Sequence, residues 1–437
     1  MAETLVKARP VAPPIPTRRG IRVLPGRPFW VWLHRYCGLA MAAFLVVVGL
    51  TGSLLAFNFE LERVFAPHLF AMPRPGITPL DLATLAERAQ VIVPHGKVER
   101  VGYTETDQVQ VDFAPRMDPA TGRPYSLGFT EFFIDPWTGK ELGRRNRGDL
   151  SQGFVNLMPF LYELHWRLVA GDVGQWILGI LALIWTLDCF NGFYLTLPVF
   201  RPGFWRRWRQ AWVIKRGAST FRLNFDLHRA GGLWVWPLLL IFAWSSVMMD
   251  IRPVYERVMR SVFDYQSPMD EFRSQVPPKN SPRLDWRAAQ TTGERLIDAQ
   301  SKKRGFTAGM PLSLMYFSGN GAYFYEVRGS RDVFQRAPKG GGTYVMFDGD
   351  TGELRQVSQP TGEHTGNTLE SWLYALHMAR VFGRPYQFLV GLLGLLISML
   401  SVTGIYIWWN KRLARTLSSS RSRALSRVAS KPAESIT

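Results

Sequence analysis

Residues 33–41 read LHRYCGLAM, and residues 227–235 repeat the pattern as LHRAGGLWV. Each copy places a His-Arg pair and a nearby glycine at the start of an apolar run of membrane length, near the roughly 20 residues that span a bilayer. The histidines of the two copies, His34 and His228, are 194 positions apart. The chain therefore contains two related helix starts, and its organisation follows from them.

A second phrase is also duplicated. FLYELHWRL contains His165 and WLYALHMAR contains His377, 212 positions further on, and each copy again precedes a long apolar run. Four of the seven histidines therefore occur at the ends of apolar runs, in two matched pairs. The order of the phrases predicts two copies of one unit, each with an apolar helix at either end.

The charge of the chain is distributed around these runs. The formal net charge is +18, but the basic residues cluster before the first run, between the second and third, and after the fourth. Short basic loops beside apolar runs are the positive-inside pattern of membrane proteins. The distribution argues against a nucleic-acid partner and predicts a multi-pass protein of the lipid bilayer, with both termini cytoplasmic.

The cysteines argue against a thiolate metal site, and the first residues argue against a cleavable signal peptide. Cys37 and Cys189 lie in or beside apolar runs and form no CxxC spacing, which argues against a zinc or iron–sulfur site. The first 28 residues are polar, proline-rich and basic, and the apolar run after them is too long for the core of a signal peptide. They are predicted to form a disordered cytoplasmic tail.

Between the apolar runs lie two segments of mixed charge with similar patterns. Each is predicted to begin with a helix and to continue with alternating strands. FFIDPWTGKELG at residues 132–143 corresponds to MFDGDTGELRQ at residues 346–356, and in each the Asp-x-x-Thr-Gly sequence is typical of a turn between two strands. We expect two external α+β modules.

The predicted architecture is an α-helical membrane protein with a four-helix transmembrane bundle made of two parallel repeats and two external α+β modules. The repeats are parallel because both begin on the cytoplasmic side. In chain order the predicted segments are the tail at 1–28, the first span at 29–59, the first module at 60–153, an amphipathic helix plus second span at 154–200, a basic loop at 201–226, the third span at 227–251, the second module at 252–368, an amphipathic helix plus fourth span at 369–410, and a basic tail at 411–437.

This topology sorts the four histidines into two pairs. His34 and His228 begin outward-running helices and are expected at the cytoplasmic face, whereas His165 and His377 precede inward-running helices and are expected at the external face. Two imidazoles facing each other across a bundle can be the axial ligands of a b-type haem. Two such haems, with irons about 20–25 Å apart, would form an electron path across the membrane.

Neighbouring residues fit this hypothesis. Gly38 and Gly232 follow their histidines by four residues, so they share the same helix face and would let a porphyrin approach the backbone. Arg35 and Arg229 are candidates for pairing with haem propionates. The alternative is that each histidine is an ordinary interfacial residue, because a duplicated chain copies a structural histidine as readily as a ligand.

Two further sites are singled out by their polarity. Asp188 and Asn191 lie within the second span, where polar groups are costly, so they should face the bundle interior. Their role is either structural hydrogen bonding or tuning of a haem or a proton relay. His364 lies in an external segment and is expected mainly at the surface.

At these residues a family resemblance appears. LHRYCGLAMAAFLVVVGLTGSLLAF, the paired LYxLH phrases and the FDGDTGEL-type turn resemble the PepSY-associated transmembrane helix family over about residues 29–412. That family includes bacterial inner-membrane proteins linked to iron uptake, among them ferric-siderophore reductases in which four helices carry two haems. The resemblance implies that His34, His165, His228 and His377 are the haem ligands. As a departure, the third span reads FAWSSV where the first and fourth carry a Thr-Gly pair.

The resemblance implies a haem-dependent oxidoreductase of the inner membrane that passes electrons outward and reduces ferric iron in a periplasmic siderophore. The electron donor would be a cytoplasmic reductant or a quinol, because the cytoplasmic segments contain no flavin or nicotinamide fingerprint. The rival hypothesis is a non-enzymatic protein whose external modules bind a peptide or partner protein and regulate a protease or transporter. The residues expected to receive an anionic chelate are Arg167, Arg380, Arg384 and Tyr386.

Overall fold

The computed structural model describes residues 26–267, 270, 279–334 and 341–429. Nearly all of the predicted N-terminal tail and the last eight residues of the C-terminal tail lie outside the described residues. The α-helices are α1 (Arg27–Leu55), α2 (Asn58–Phe65), α3 (Leu82–Ile92), α4 (Leu157–Arg167), α5 (Gly171–Thr196), α6 (Phe204–Arg209), α7 (Thr220–Trp234), α8 (Trp236–Asp250), α9 (Arg252–Val262), α10 (Trp286–Arg304), α11 (Thr365–His377) and α12 (Gly383–Ala429).

The protein is a helical membrane protein. Helices α1 and α5 and the part of α12 from Gly383 to Ser418 are long and apolar enough to cross a bilayer. A fourth crossing results if α7 and α8 count as one span, although they meet at 71°. Pro237 explains the bend, because its ring removes a backbone N–H and clashes with the carbonyl four residues earlier. The third predicted span is therefore a broken element, with His228 in its first arm.

Close backbone contact holds the membrane helices together. α1 packs against α12 and α5, and α5 packs against α8. A Cβ atom on Gly49 of α1 would lie only 2.6 Å from the carbonyl oxygen of Gly394 on α12. Small residues at facing positions allow this approach, and dispersion contacts then take the place that the hydrophobic effect has in water.

The strands form a single sheet. They are β1 (Gly96–Glu105), β2 (Gln108–Pro115), β3 (Glu131–Ile134), β4 (Glu141–Arg145), β5 (Ala308–Phe317), β6 (Ala322–Gly329), β7 (Thr343–Asp348) and β8 (Leu354–Ser358). Every pairing is antiparallel, and the order is β4-β3-β2-β1-β5-β6-β7-β8.

The two predicted α+β modules are therefore joined, not separate. β1 of the first module pairs with β5 of the second, with Val101 opposite Leu314. Each module alone would expose one of these strands as an open edge, with unpaired N–H and C=O groups. Pairing the two edges satisfies those groups and couples the halves of the chain outside the membrane helices.

The two faces of the sheet differ. Helices α3 and α10 cover one face, where Val101, Leu314 and Tyr325 belong to a buried apolar core. Both helices begin at an aspartate cap: the Asp81 and Asp285 carboxylates accept hydrogen bonds from backbone N–H groups three residues later. Because strand side chains alternate, the neighbours of the core residues point to the opposite face, which is polar at its centre.

The structure confirms the two predicted turns. The Asp135 carboxylate accepts from the backbone N–H groups of residues 137 and 138, and Gly139 adopts a φ of 62°. The Asp348 carboxylate accepts from residues 350 and 351, and Gly352 adopts a φ of 71°. Glycine suits these left-handed positions, so the repeated phrase encodes the same hairpin in both halves.

A buried ion-pair cluster ties the sheet edge to the helix that follows the first span. Arg145 on β4 contacts Glu62 on α2 at 2.6 Å and Glu131 on β3 at 2.8 Å, and its side chain is 6% exposed. Both carboxylates are also nearly buried. Glu62 depends on this guanidinium for its counter-charge, whereas Glu131 is also paired with Arg147 at 3.1 Å.

Replacing Arg145 by Met should destabilise the sheet by about 3–5 kcal/mol, because it leaves the buried Glu62 carboxylate without its cation and leaves Glu131 with Arg147 alone. The measurement is the temperature at which the strand signal in circular dichroism is lost in detergent. Arg144→Met is the matched control, since Arg144 pairs with Glu141 at an exposed position and should cost about 1 kcal/mol or less. Equal losses for the two variants would contradict the assignment.

Candidate functional site

The fold brings the four duplicated histidines together as two facing pairs. The ring centroids of His34 and His228 are 6.0 Å apart, and those of His165 and His377 are 6.3 Å apart. Each pair joins one residue from each half of the chain. The members of a pair come from segments about 200 residues apart, so only the tertiary fold creates this contact.

In the first pair both Nδ1 atoms are held by hydrogen-bond acceptors. His34 Nδ1 lies 2.9 and 3.0 Å from the two carboxylate oxygens of Asp188. His228 Nδ1 lies 2.9 Å from the backbone carbonyl of Leu400, with the Thr403 hydroxyl at 3.2 Å. A carboxylate and a carbonyl can only accept, so both rings carry their proton on Nδ1.

In the second pair a hydroxyl group lies at hydrogen-bond distance from each Nδ1 atom. The Thr51 hydroxyl lies 2.9 Å from His165 Nδ1 and donates its own proton to the Val47 carbonyl. The Ser245 hydroxyl lies 2.7 Å from His377 Nδ1 and donates to the carbonyl of residue 242. Because each hydroxyl proton is already used, the hydroxyl oxygen accepts from the imidazole N–H.

This arrangement leaves Nε2 as the lone-pair nitrogen of all four rings. Within the described residues no hydrogen bond engages any of these Nε2 atoms. Metal-bound histidines show the same pattern, in which a hydrogen bond to the second nitrogen fixes the tautomer and the ring orientation. The four rings are therefore oriented as ligands usually are.

Glycines on neighbouring helices make room for three of the rings. A Cβ atom on Gly52, Gly192 or Gly404 would lie 3.0 to 3.4 Å from the Cε1 atom of His165, His34 or His228, respectively. A Cβ on Gly38 would meet nothing within 4 Å.

His165 and His377 lie in the last turns of the short helices α4 and α11, and a strained turn follows each helix. The non-glycine residues with positive φ in the described ranges are Leu168, Val169, Ala379 and Phe382, with φ between 53° and 57°. All four belong to the two turns that follow His165 and His377. The left-handed region is unfavourable for residues with a Cβ, and most of all for β-branched valine. Such strain occurs where the surrounding structure holds functional groups in place.

A cavity of about 940 Å³ adjoins the external pair. Its lining includes His165 and His377 from the helices, and Arg100, Ser313 and Glu326 from the polar face of the sheet. The cavity also extends among apolar residues of α1, α5, α8 and α12. It therefore connects the space between the apolar helices with the polar face of the sheet.

Arg100 is the cation of this cavity with unused donors. Its side chain is 12% exposed and lies 3.6 Å from the Asp112 carboxylate, and both Nη atoms are buried with no hydrogen-bond acceptor among the described residues. Glu326 accepts from Ser313 Oγ and the Gly342 N–H, and burial raises the pKa of its carboxyl. The cavity thus offers guanidinium N–H groups to an acceptor oxygen.

The other predicted residues have varied surroundings. Asp188 and Asn191 are buried, as predicted. Arg229 donates to Asp226 and to the carbonyl of residue 210, whereas Arg35 is half-buried and has no ion-pair partner among the described residues. Their pairing with propionates stays a prediction. His364 pairs with Asp264 outside the cavity. Of the residues predicted to receive a chelate, Arg380 lines the cavity, while Arg167, Arg384 and Tyr386 do not.

Sequence reasoning singled out Asp188 but missed the Leu400 carbonyl and the Ser245 hydroxyl among the groups that orient the rings, although one signal was present. Thr51 follows His34 by 17 positions, and Ser245 follows His228 by 17 positions. The third span lacks the Thr-Gly pair, but Ser245 still supplies a hydroxyl at the position that contacts the ring of His377. The positional equivalence becomes meaningful only when the duplicated helices are aligned on their histidines.

This geometry defines a class of protein: a helical membrane protein with paired histidines and an antiparallel sheet beside the membrane helices. The chain belongs to the family described as the PepSY-associated TM region, whose family model matches residues 31–411. A search of curated proteins finds no match to the chain.

Replacing Val169 by Gly should stabilise the protein by roughly 0.5–1 kcal/mol, because relief of about 1–2 kcal/mol of left-handed strain exceeds the entropic cost of glycine. Thermal unfolding in detergent measures the change. Val91→Gly is the control: Val91 is exposed in the last turn of α3, where the backbone is right-handed, and the variant should lose up to about 0.5 kcal/mol. A loss of stability in both variants would show that the turn is unstrained.

Proposed function

We propose that this protein is a di-haem oxidoreductase of a bacterial inner membrane that passes electrons outward and reduces ferric iron in a periplasmic siderophore. The observation that carries this proposal is the pair of facing imidazole couples, His34 with His228 and His165 with His377. The proposal rests on their spacing, their tautomers and the free Nε2 atoms, together with membership of the family.

The spacing suits two ligands of one metal centre. The observed centroid separations of 6.0 and 6.3 Å would let both imidazoles of a couple hold one metal ion through bonds of about 2.0–2.1 Å. Within the described residues no group of three or more His, Cys, Asp or Glu could hold a bare metal ion. Two imidazoles alone suit an iron whose other four ligands come from a macrocycle, as in b-type haem.

The finer topology forms part of the proposal. Four spans form a bundle of two parallel repeats, with both termini in the cytoplasm and the sheet in the periplasm. The positive-inside distribution supports this orientation. It assigns His34 and His228 to the cytoplasmic side and His165 and His377 to the periplasmic side, next to the cavity under the sheet.

The chain supplies ligation, orientation and a place for the acceptor. Bound haem would supply one-electron chemistry, for which protein residues have no equivalent. Thr51, Ser245 and Asp188 hold three of the rings in place. Arg100 offers N–H donors to an anionic chelate. Reduction of Fe(III) to Fe(II) consumes one electron, which a cytoplasmic reductant or a quinol would supply to the chain, and it weakens the hold of hard oxygen ligands on the iron, so the metal is released.

Purified protein from haem-replete cells should show a Soret band and contain two haems per chain. His34→Ala or His228→Ala should each remove one haem or leave it five-coordinate with a shifted Soret band, and His165→Ala or His377→Ala should do the same to the other haem, because a six-coordinate site needs both imidazoles. Pyridine haemochrome absorbance measures the content. His364→Ala is the control, since that ring pairs with Asp264 and should leave both haems bound.

A colourless preparation would overturn the proposal and favour a non-enzymatic protein that binds a peptide or partner protein. Loss of both haems from a single histidine variant that keeps its helical signal would contradict the two separate sites.

Replacing Arg100 by Gln should slow reoxidation of the dithionite-reduced protein by ferric citrate, an anionic chelate, about 10–100-fold, because a hydrogen bond from a charged donor to the chelate is lost. Stopped-flow absorbance at the Soret band measures the rate. Arg287→Gln is the control, because Arg287 pairs with Glu87 on the surface. An unchanged rate would exclude Arg100 from the acceptor site, and loss of haem would assign it to a propionate instead.

A further inference from the structure

The four imidazoles differ in what holds them, and the difference is one of charge. Thr51 and Ser245 present neutral hydroxyls to the external rings, and Leu400 presents a neutral carbonyl to His228. His34 alone among the four has a carboxylate, from Asp188, at hydrogen-bond distance from Nδ1.

The duplicated structure shows that a carboxylate is not needed to orient the ring. Asp188 follows His165 by 23 positions, and Leu400 follows His377 by 23 positions. The second half thus uses a backbone carbonyl at the place where the first half uses a charged side chain. The charge must therefore contribute something other than orientation.

Asp188 is also placed so that its charge acts on the ring. Its side chain is 9% exposed and lies on α5, where the surroundings have a low dielectric constant. Asn191 Nδ2 lies 3.4 Å from one carboxylate oxygen, and no Lys or Arg of the described residues forms an ion pair with Asp188. The His34 ring is thus its main partner.

From this asymmetry we infer that Asp188 gives the site formed by His34 and His228 a lower reduction potential than the site formed by His165 and His377. This inference rests on the proposed haem function. A carboxylate that accepts the imidazole N–H makes the ring a more basic ligand, which stabilises ferric over ferrous iron. Two neutral hydroxyls at the other site have a weaker effect. Electron transfer outward is then downhill.

Cations near the cytoplasmic face act in the opposite direction but more weakly. Arg35 and Lys411 are at least partly in contact with solvent, and solvent and salt screen such charges within about 8–10 Å. The Asp188 carboxylate lies in direct contact with the ligand and is not screened. The nearer charge therefore decides the order of the two potentials.

Asp188→Asn tests the inference, because asparagine keeps an oxygen that accepts the N–H and removes the charge. A spectroelectrochemical titration of the full chain should resolve two waves in the wild type. In the variant the lower wave should rise by about 59 mV or more, a tenfold change in the one-electron equilibrium, and the upper wave should stay in place. Asp188→Glu keeps the carboxylate charge, so its lower wave should lie closer to the wild-type position than that of Asp188→Asn.

Thr51→Asp is the reciprocal variant, which places a carboxylate beside His165 and should lower the upper wave; it keeps the inference testable if Asp188→Asn fails to fold. The inference is overturned if Asp188→Asn holds two haems and both waves stay in place, or if only the upper wave moves. A wild-type protein without haem would instead refute the proposed function, so the two failures are distinguishable.

Discussion

The contact between imidazoles from opposite halves of the chain is the constraint on which the rest of the structure depends. Each couple requires two rings about 6 Å apart, with the lone pairs of Nε2 left unused. Neither half can satisfy that condition alone. Every ring is nevertheless oriented by a group from its own half, so each half prepares two rings and the association of the halves completes both sites.

Two different kinds of contact keep the halves in register. Among the apolar helices, glycine backbones such as Gly49 and Gly394 touch, and close packing is the available source of stability in lipid. In the external domain, the pairing of β1 with β5 turns two four-stranded sheets into one sheet of eight strands. A shift between the halves would break hydrogen bonds in the sheet and also separate the imidazoles. The sheet therefore contributes to the precision of the site below it.

Duplication makes the exceptions informative. The repeated phrases produce equal hairpins, equal helix caps and equal ring positions in the two halves. At a few positions the copies differ, as with Asp188 and Leu400, or Thr51 and Ser245. Thr51 and Ser245 both carry a hydroxyl, so the role of the hydroxyl is the same in both halves. Asp188 carries a charge that Leu400 lacks, and the symmetry of the two halves makes that difference visible.

The sequence by itself determined the elements and their order. The apolar runs, the Asp-x-x-Thr-Gly turns and the histidines at helix ends are local patterns, because periodicity and turn chemistry act over a few residues. The bend at Pro237 was also readable in principle, since proline breaks a helix by local sterics. What only the tertiary structure decided are contacts between distant segments: the β1–β5 pairing and the partners of each Nδ1. Backbone edges pair through groups that every residue carries, and a buried Asp188 has many possible neighbours until the helices pack. No local pattern encodes either choice.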